Sequence, residues 1–337
     1  MKKYFILLLA ALAVTACDHD EIYEEIDFQV QLSPANTYRA GEPVQFLFGG
    51  NADYIVFYSG ETGHEYRFRN RTQVAPEDIE SCELVVQLNG RSGTPCMSAY
   101  VTDAFDGLTA TDEAADLAAI SSMLTEEKDL NGWTKLDLND PEKNTEWATT
   151  TLDITDLSDN FCLAMHWNPK SIETSQRAYW VSVGVNVKFR GYEPRTLNSR
   201  TLDLKGFSMN DERAGSRYIL TTESNVNGTM RYTGNTGRNV SEFVLTGSNK
   251  YDPSNDKTLP YAIDAWIVST PMALNQVTPD EGESIKTLSE SLGSYAYTFE
   301  KAGTYTVTFV GTSGNYIGQS CAVKELTVTI IDPLPGE

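Results

Sequence analysis

The chain has 337 residues, 40% of them hydrophobic and 22% charged, with 24 Gly and 13 Pro. Those values exclude collagen-like, coiled-coil and wholly disordered chains and leave room for two or three domains of ordinary size. Against 26 basic residues stand 47 acidic ones, a formal net charge of −21, so the phosphate backbone of nucleic acid would be repelled and no nucleic-acid partner is expected.

Lys2 and Lys3 precede an apolar run from Tyr4 to Val14, which gives residues 1–16 the layout of a secretory signal. The run is too short to span a bilayer, which takes about 20 apolar residues. Val14-Thr15-Ala16-Cys17 resembles a bacterial lipobox. That resemblance implies lipidation of Cys17, whose acyl chains would anchor the protein to a membrane. Residues 17–27 carry Asp18, Asp20, Glu21, Glu24, Glu25 and Asp27, an acidic tether expected to stay solvated. An acidic stretch directly after a lipidated Cys is similar to the export signal of Bacteroidetes surface lipoproteins, which implies an outer-membrane, cell-surface address.

From Phe28 the pattern turns to short alternating segments divided by turn residues. Val44 to Phe48 and Tyr54 to Tyr58 read as strands, and residues 28–103 as an N-terminal immunoglobulin-like sandwich. Within it, Asn89-Gly90-Arg91-Ser92-Gly93 reads as a hairpin turn that sets Cys82 and Cys96 face to face as a possible disulfide of an exported protein. One short helix is predicted near 111–124, capped by Thr109 or Thr111, with Leu117, Ile120, Ser121 and Leu124 at helical intervals.

Residues 104–250 return to strands at Trp147 to Ile154, Phe161 to Trp167, Tyr179 to Phe189, Arg217 to Thr222, Thr229 to Thr233 and Glu242 to Thr246. Residues 257–332 hold the cleanest alternation, with Tyr305, Val307 and Phe309 on one side and Thr304, Thr306 and Thr308 on the other. The fold class is therefore all-β: serial β-sandwiches with one short helix.

Lys301-Ala302-Gly303-Thr304-Tyr305-Thr306-Val307-Thr308-Phe309 resembles the signature of PKD-like immunoglobulin-fold domains and implies such a sandwich over 257–332. Gly41 to Phe46 with Ala52 to Glu61 is similar to the opening domain of Bacteroidetes surface lipoproteins of unassigned function. The strands around Trp147, Trp167 and Tyr179 to Val183 resemble a galactose-binding-like jelly roll over 104–250. Such lipoproteins accompany SusC/SusD-type glycan importers, so the resemblance implies those outer-membrane proteins and a glycan as partners. Fold alone does not fix function.

No His-Glu-x-x-His, Gly-x-Ser-x-Gly or phosphate-cradling glycine loop occurs, and the chain is expected not to be an enzyme. His19, His64 and His166 are scattered and no Cys-x-x-Cys exists, so no zinc site or other cofactor is expected. Oxygen-rich loops at Asp103 to Gly107 and Asp252 to Asp256 read as turns in preference to structural calcium sites.

The facing of the tryptophans is more informative. In Tyr179 to Phe189 the odd positions are apolar, which puts Trp180 on the polar face. Trp167 falls on the core side of its strand and His166 on the other. If the two strands formed a hairpin pair, His166 would meet Trp180 in a platform for a sugar ring. Trp147, beside Thr149, Thr151 and Asp153, and Trp133, beside Lys135 and Asp137, are further candidates. An equally open alternative makes Trp180 a packing residue beneath the helix or a neighbouring domain. The expected function is non-catalytic glycan binding for a SusC/SusD-type system. An adhesin or assembly component is the alternative, and a glycan-active enzyme a minor one.

Overall fold

The computed structural model describes residues 26–34, 37–123, 132–141, 146–210, 216–233, 242–314 and 318–333. The signal segment 1–16, Cys17 and most of the acidic tether lie outside the described residues. The architecture is all-β, with one α-helix among the described residues.

The strands divide between two compact units that are not serial. The first joins residues 26–67 to residues 281–333. Its N-terminal half supplies β1 (Phe28–Leu32), β2 (Tyr38–Arg39), β3 (Pro43–Gly50) and β4 (Tyr54–Tyr58). The second unit, Phe68–Asp280, follows with β5 (Ile79–Arg91), β6 (Met97–Thr102), α1 (Glu113–Met123), β7 (Thr134–Leu136), β8 (Ala148–Asp153), β9 (Cys162–Trp167) and β10 (Ala178–Phe189). It continues through β11 (Tyr192–Asn198), β12 (Lys205–Ser208), β13 (Thr229–Tyr232), β14 (Glu242–Thr246) and β15 (Ala265–Val268). The chain then returns to the first unit with β16 (Glu283–Lys286), β17 (Ser294–Thr298), β18 (Gly303–Gly314) and β19 (Gln319–Ile331).

The first unit interleaves its two halves. β3 lies between β1 and β17 in one sheet, while the other runs β16-β4-β18-β19-β2. The three serial domains expected from sequence, 28–103, 104–250 and 257–332, are thus replaced by one sandwich built from both ends of the chain and a second formed by the residues between. Neither end can close a sandwich by itself, because β4 finds its partners, β16 and β18, and β3 its second partner, β17, only across the insertion. The alternation itself holds: Val307, Phe309, Val328 and Ile330 face inward with Phe46, Ile55 and Phe57. Gly311 sits where a Cβ would come within 2.5 Å of the Phe28 ring, so the β18 backbone admits that ring only as glycine.

The second unit packs a six-stranded sheet, β13-β14-β10-β5-β8 with β11 also on β10, against a five-stranded sheet, β12-β15-β9-β6-β7. Leu84, Val86 and Leu88 of β5 and the odd residues of β10 from Tyr179 to Val187 are buried between them, along with Leu163, Met165 and Trp167 of β9. The two ends of this unit run side by side, with Val74 N–H donating to Asn275 O at 3.0 Å and Val277 N–H to Thr72 O at 3.0 Å. Side-by-side ends are what an insertion requires.

Helix α1 begins where expected, but Asp112 is its cap: Oδ1 accepts the N–H groups of Ala114 at 3.1 Å and Ala115 at 3.0 Å. Leu124 lies outside the described residues. Ile120 and Met123 pack with Trp133, Phe207 and Trp266 on the outer side of the five-stranded sheet. Asp116 is buried there, and it accepts from Thr109 N–H at 2.7 Å, Ala110 N–H at 2.9 Å and the Tyr218 hydroxyl at 2.8 Å. Burial pushes the Asp116 carboxyl up, and these bonds outweigh it, leaving its pKa below the ordinary 3.8. A carboxylate held below its unfolded pKa stabilises the fold above that pKa, and the contribution is lost as pH falls through the lower folded value. The melting temperature of the native chain is therefore expected to drop more steeply below about pH 4 than that of Asp116→Asn. Parallel acid limbs in thermal scans from pH 6 to 3 would show that Asp116 does not act this way.

Candidate functional site

β5 continues through the segment that reads as a turn. Asn89, Gly90 and Arg91 remain in register opposite Trp180, Tyr179 and Ala178, and the chain turns only at Ser92 (φ 39°) and Gly93 (φ 86°). Gly90 serves a different purpose: its Cβ would lie 2.2 Å from the Arg177 guanidinium, which runs against the β5 backbone. Arg177 is 6% exposed. It pairs with Asp140 Oδ1 at 2.8 Å and donates to Pro141 O at 2.7 Å. The Tyr179 hydroxyl donates to Asp140 Oδ2 at 2.8 Å and accepts Cys96 N–H at 2.9 Å. Burial pushes the Tyr179 hydroxyl well above its ordinary pKa. This buried polar cluster fixes the near end of β10, from which Trp180 projects to the opposite face.

The expected Cys82–Cys96 disulfide is absent, and both are free thiols. Cys82 faces inward opposite Val187, whereas Cys96 is bound at Tyr179, whose partner on β5 is Gly90. Eight residues of strand, about 27 Å, separate those rows. A disulfide needs Cα atoms within about 7 Å. Burial pushes both thiols up to about 11.

The expected pairing of His166 with Trp180 is also replaced. β9 and β10 lie in opposite sheets, because the loop between them crosses the sandwich and does not turn back as a hairpin. His166 stands opposite Ser98 of β6 and Trp266 of β15. Its ring stacks on the Trp266 indole at 4.2 Å and 5°, and its Nε2 lies 2.7 Å from Asp264 Oδ1. An indole does accompany the imidazole, but it is Trp266, which is wholly buried. Ala265-Trp266-Ile267-Val268 has no polar alternation, so its facing could not be read in advance. Trp133 is buried too, 5.5 Å from the Phe105 ring, and forms part of the packing beneath α1.

Trp180 and Trp147, by contrast, share the outer face of the six-stranded sheet. Across one row of that face run Arg231, Val244, Trp180 and Asn89. Beyond Leu88 and Ala148 the same register carries Trp147 to the far side of Asn89. Asn89 Nδ2 donates to Glu146 O at 2.9 Å, which ties the chain before β8 to this row. Trp147 is 42% exposed, and Trp180 is half-buried. The helix lies against the other sheet, so it does not cover Trp180. Gln87 and Thr149 are joined at 3.2 Å in the next row, beside Ser182.

Arg91, on the same face, holds its guanidinium 5.3 Å from the Trp180 ring centroid. Sequence reasoning missed Asn89 and Arg91 because Asn-Gly is a strong turn signal. Their alternation with Leu88, carried past Gly90, was the signal available.

The row holds two indoles on either side of Asn89, which is 8% exposed and already engaged with Glu146 O, with a cation at one edge. Asp252 of the oxygen-rich loop accepts from the Ser254 N–H at 2.9 Å and hydroxyl at 2.7 Å, the geometry of a turn. Among the described residues no cluster of three or more His, Cys, Asp or Glu could hold a metal, and no helix is long and apolar enough to cross a membrane. No curated protein and no solved structure matches the chain. Residues 16–182, a stretch that begins before β1 and ends within β10, match the family model described as a domain of unknown function (DUF5017).

Proposed function

We propose that this protein is a lipid-anchored, cell-surface lipoprotein that binds a glycan, without catalysis, on the outer face of the six-stranded sheet, for a SusC/SusD-type uptake system. The observation that carries the reading is the row Trp180, Asn89 and Trp147. Sugar rings present C–H faces that pack on indoles, and in this row buried Asn89 sets the two indoles on either side of it. The tryptophans stand two strand spacings apart, about 9.5 Å. That span suits an oligosaccharide lying across the strands, with a different ring on each indole. The lipobox resemblance at Cys17 and the acidic tether supply the address.

The full-length chain in mild detergent is expected to be retarded in native gels containing the cognate polysaccharide, with the retardation weakened by Trp147→Ala. Free migration in gels of plant, host-mucin and microbial polysaccharides alike would overturn the reading. An adhesin or assembly role has its support in the first unit, where Val56, Val310 and Val323 form an outward row beside Tyr54, which is 45% exposed. Co-purification of an outer-membrane porin without any sugar dependence would favour that role.

A further inference from the structure

Within the proposed glycan reading, on which this inference rests, we propose that the ligand is an acidic glycan whose sugar carboxylate pairs with Arg91. The chain carries 47 acidic residues against 26 basic ones, and what sets Arg91 apart from its other cations is its place against an outward indole. Arg91 is exposed, and among the described residues its one partner is the Trp180 indole. Arg231, in the Trp180 row, donates only to a backbone carbonyl, Tyr232 O, at 3.5 Å. Neither guanidinium has a carboxylate partner among the described residues.

Among the described residues, the carboxylates of this face lie in other rows than that of Trp180. Glu242 adjoins Ser182 in the next row, and Glu146 lies between Trp147 and the position opposite Arg91, with the parity of Ala148 on the inner face. Glu83 and Asp153 share the row of Asn186, six residues along β10 from Trp180 and about 20 Å away. At physiological salt, charges are screened over about 8 Å, so the strongly negative chain does not dictate the potential at Arg91. The guanidinium lies over the Trp180 ring, 5.3 Å from its centroid, so a sugar whose carboxylate meets Arg91 is brought against that indole. A planar guanidinium meets a carboxylate through two parallel N–H bonds, and a uronic or sialic acid residue offers both the ring and the carboxylate.

The test uses the full-length chain in mild detergent with a panel of acidic polysaccharides: polygalacturonate, alginate, hyaluronan and polysialic acid, each beside its carboxyl-reduced derivative. One acidic polymer is expected to retard the protein, with carboxyl reduction and Arg91→Gln each weakening binding about tenfold. The two effects should not add, and Arg91→Lys should restore part of the loss. Equal retardation by a polymer and its reduced form, or Arg91→Gln binding like the native chain, would overturn the acidic ligand and leave glycan binding standing. Retardation by neutral polysaccharides alone would do the same. Absence of binding to every polymer, acidic or neutral, would overturn both.

Discussion

Arg177→Met is expected to destabilise the Phe68–Asp280 unit by about 3–5 kcal/mol, the cost of leaving one member of a buried ion pair uncompensated. The side chains of Arg177 and Asp140 are only 7% and 16% exposed, so water cannot replace the lost partner cheaply. Asp140 also takes the Tyr179 hydroxyl, and that hydroxyl takes Cys96 N–H, so the loss spreads into a shared network. The double variant Arg177→Met/Asp140→Leu should recover a large part of the stability, because no buried charge is then left alone. Urea unfolding of the three proteins measures this directly. A single variant within about 1 kcal/mol of the native chain would show that the pair does not hold the end of β10.

The second large effect concerns binding. Truncating a well-placed aromatic in a contact surface costs about 2 kcal/mol, roughly thirtyfold in Kd. Trp180→Ala is expected to lose at least that much glycan affinity. The fold should tolerate the change, because Trp180 projects outward while Tyr179 and Val181 on either side fill the core. Near-native urea midpoints together with lost retardation would separate binding from folding.

Strand spans were legible in the sequence because alternation is a local property. The stretch Tyr179 to Phe189 declares its inner and outer faces residue by residue, and the structure keeps both. Pairing is not local. His166 does stand on the opposite side of its strand from Trp167, but that side is packed as well, against Trp266, and its neighbours come from β6 and β15, one of them about a hundred residues away. The insertion was hidden for the same reason: β3 joins β17, and β4 joins β16 and β18, across the whole second unit.

Within the candidate site, Trp180 and Trp147 were legible from their parity with Ser182 and Thr149. Trp133 was not, because its place under α1 depends on packing that follows from no nearby spacing. Arg91 and Asn89 were masked by a glycine whose reason is the Arg177 guanidinium and not a turn. An Asn-Gly pair carries the same letters in both situations, and only the side chain lying against it tells them apart.

The proposed site puts the glycan on the outer face of the six-stranded sheet. Its most direct test is affinity electrophoresis of Trp180→Ala and His166→Ala side by side in the polysaccharide that retards the native chain. Because the two residues occupy opposite sheets, Trp180→Ala is expected to migrate freely and His166→Ala to be retarded like the native protein. Retention of full retardation by Trp180→Ala, with its loss in His166→Ala, would instead move the site to the sheet that carries Trp266.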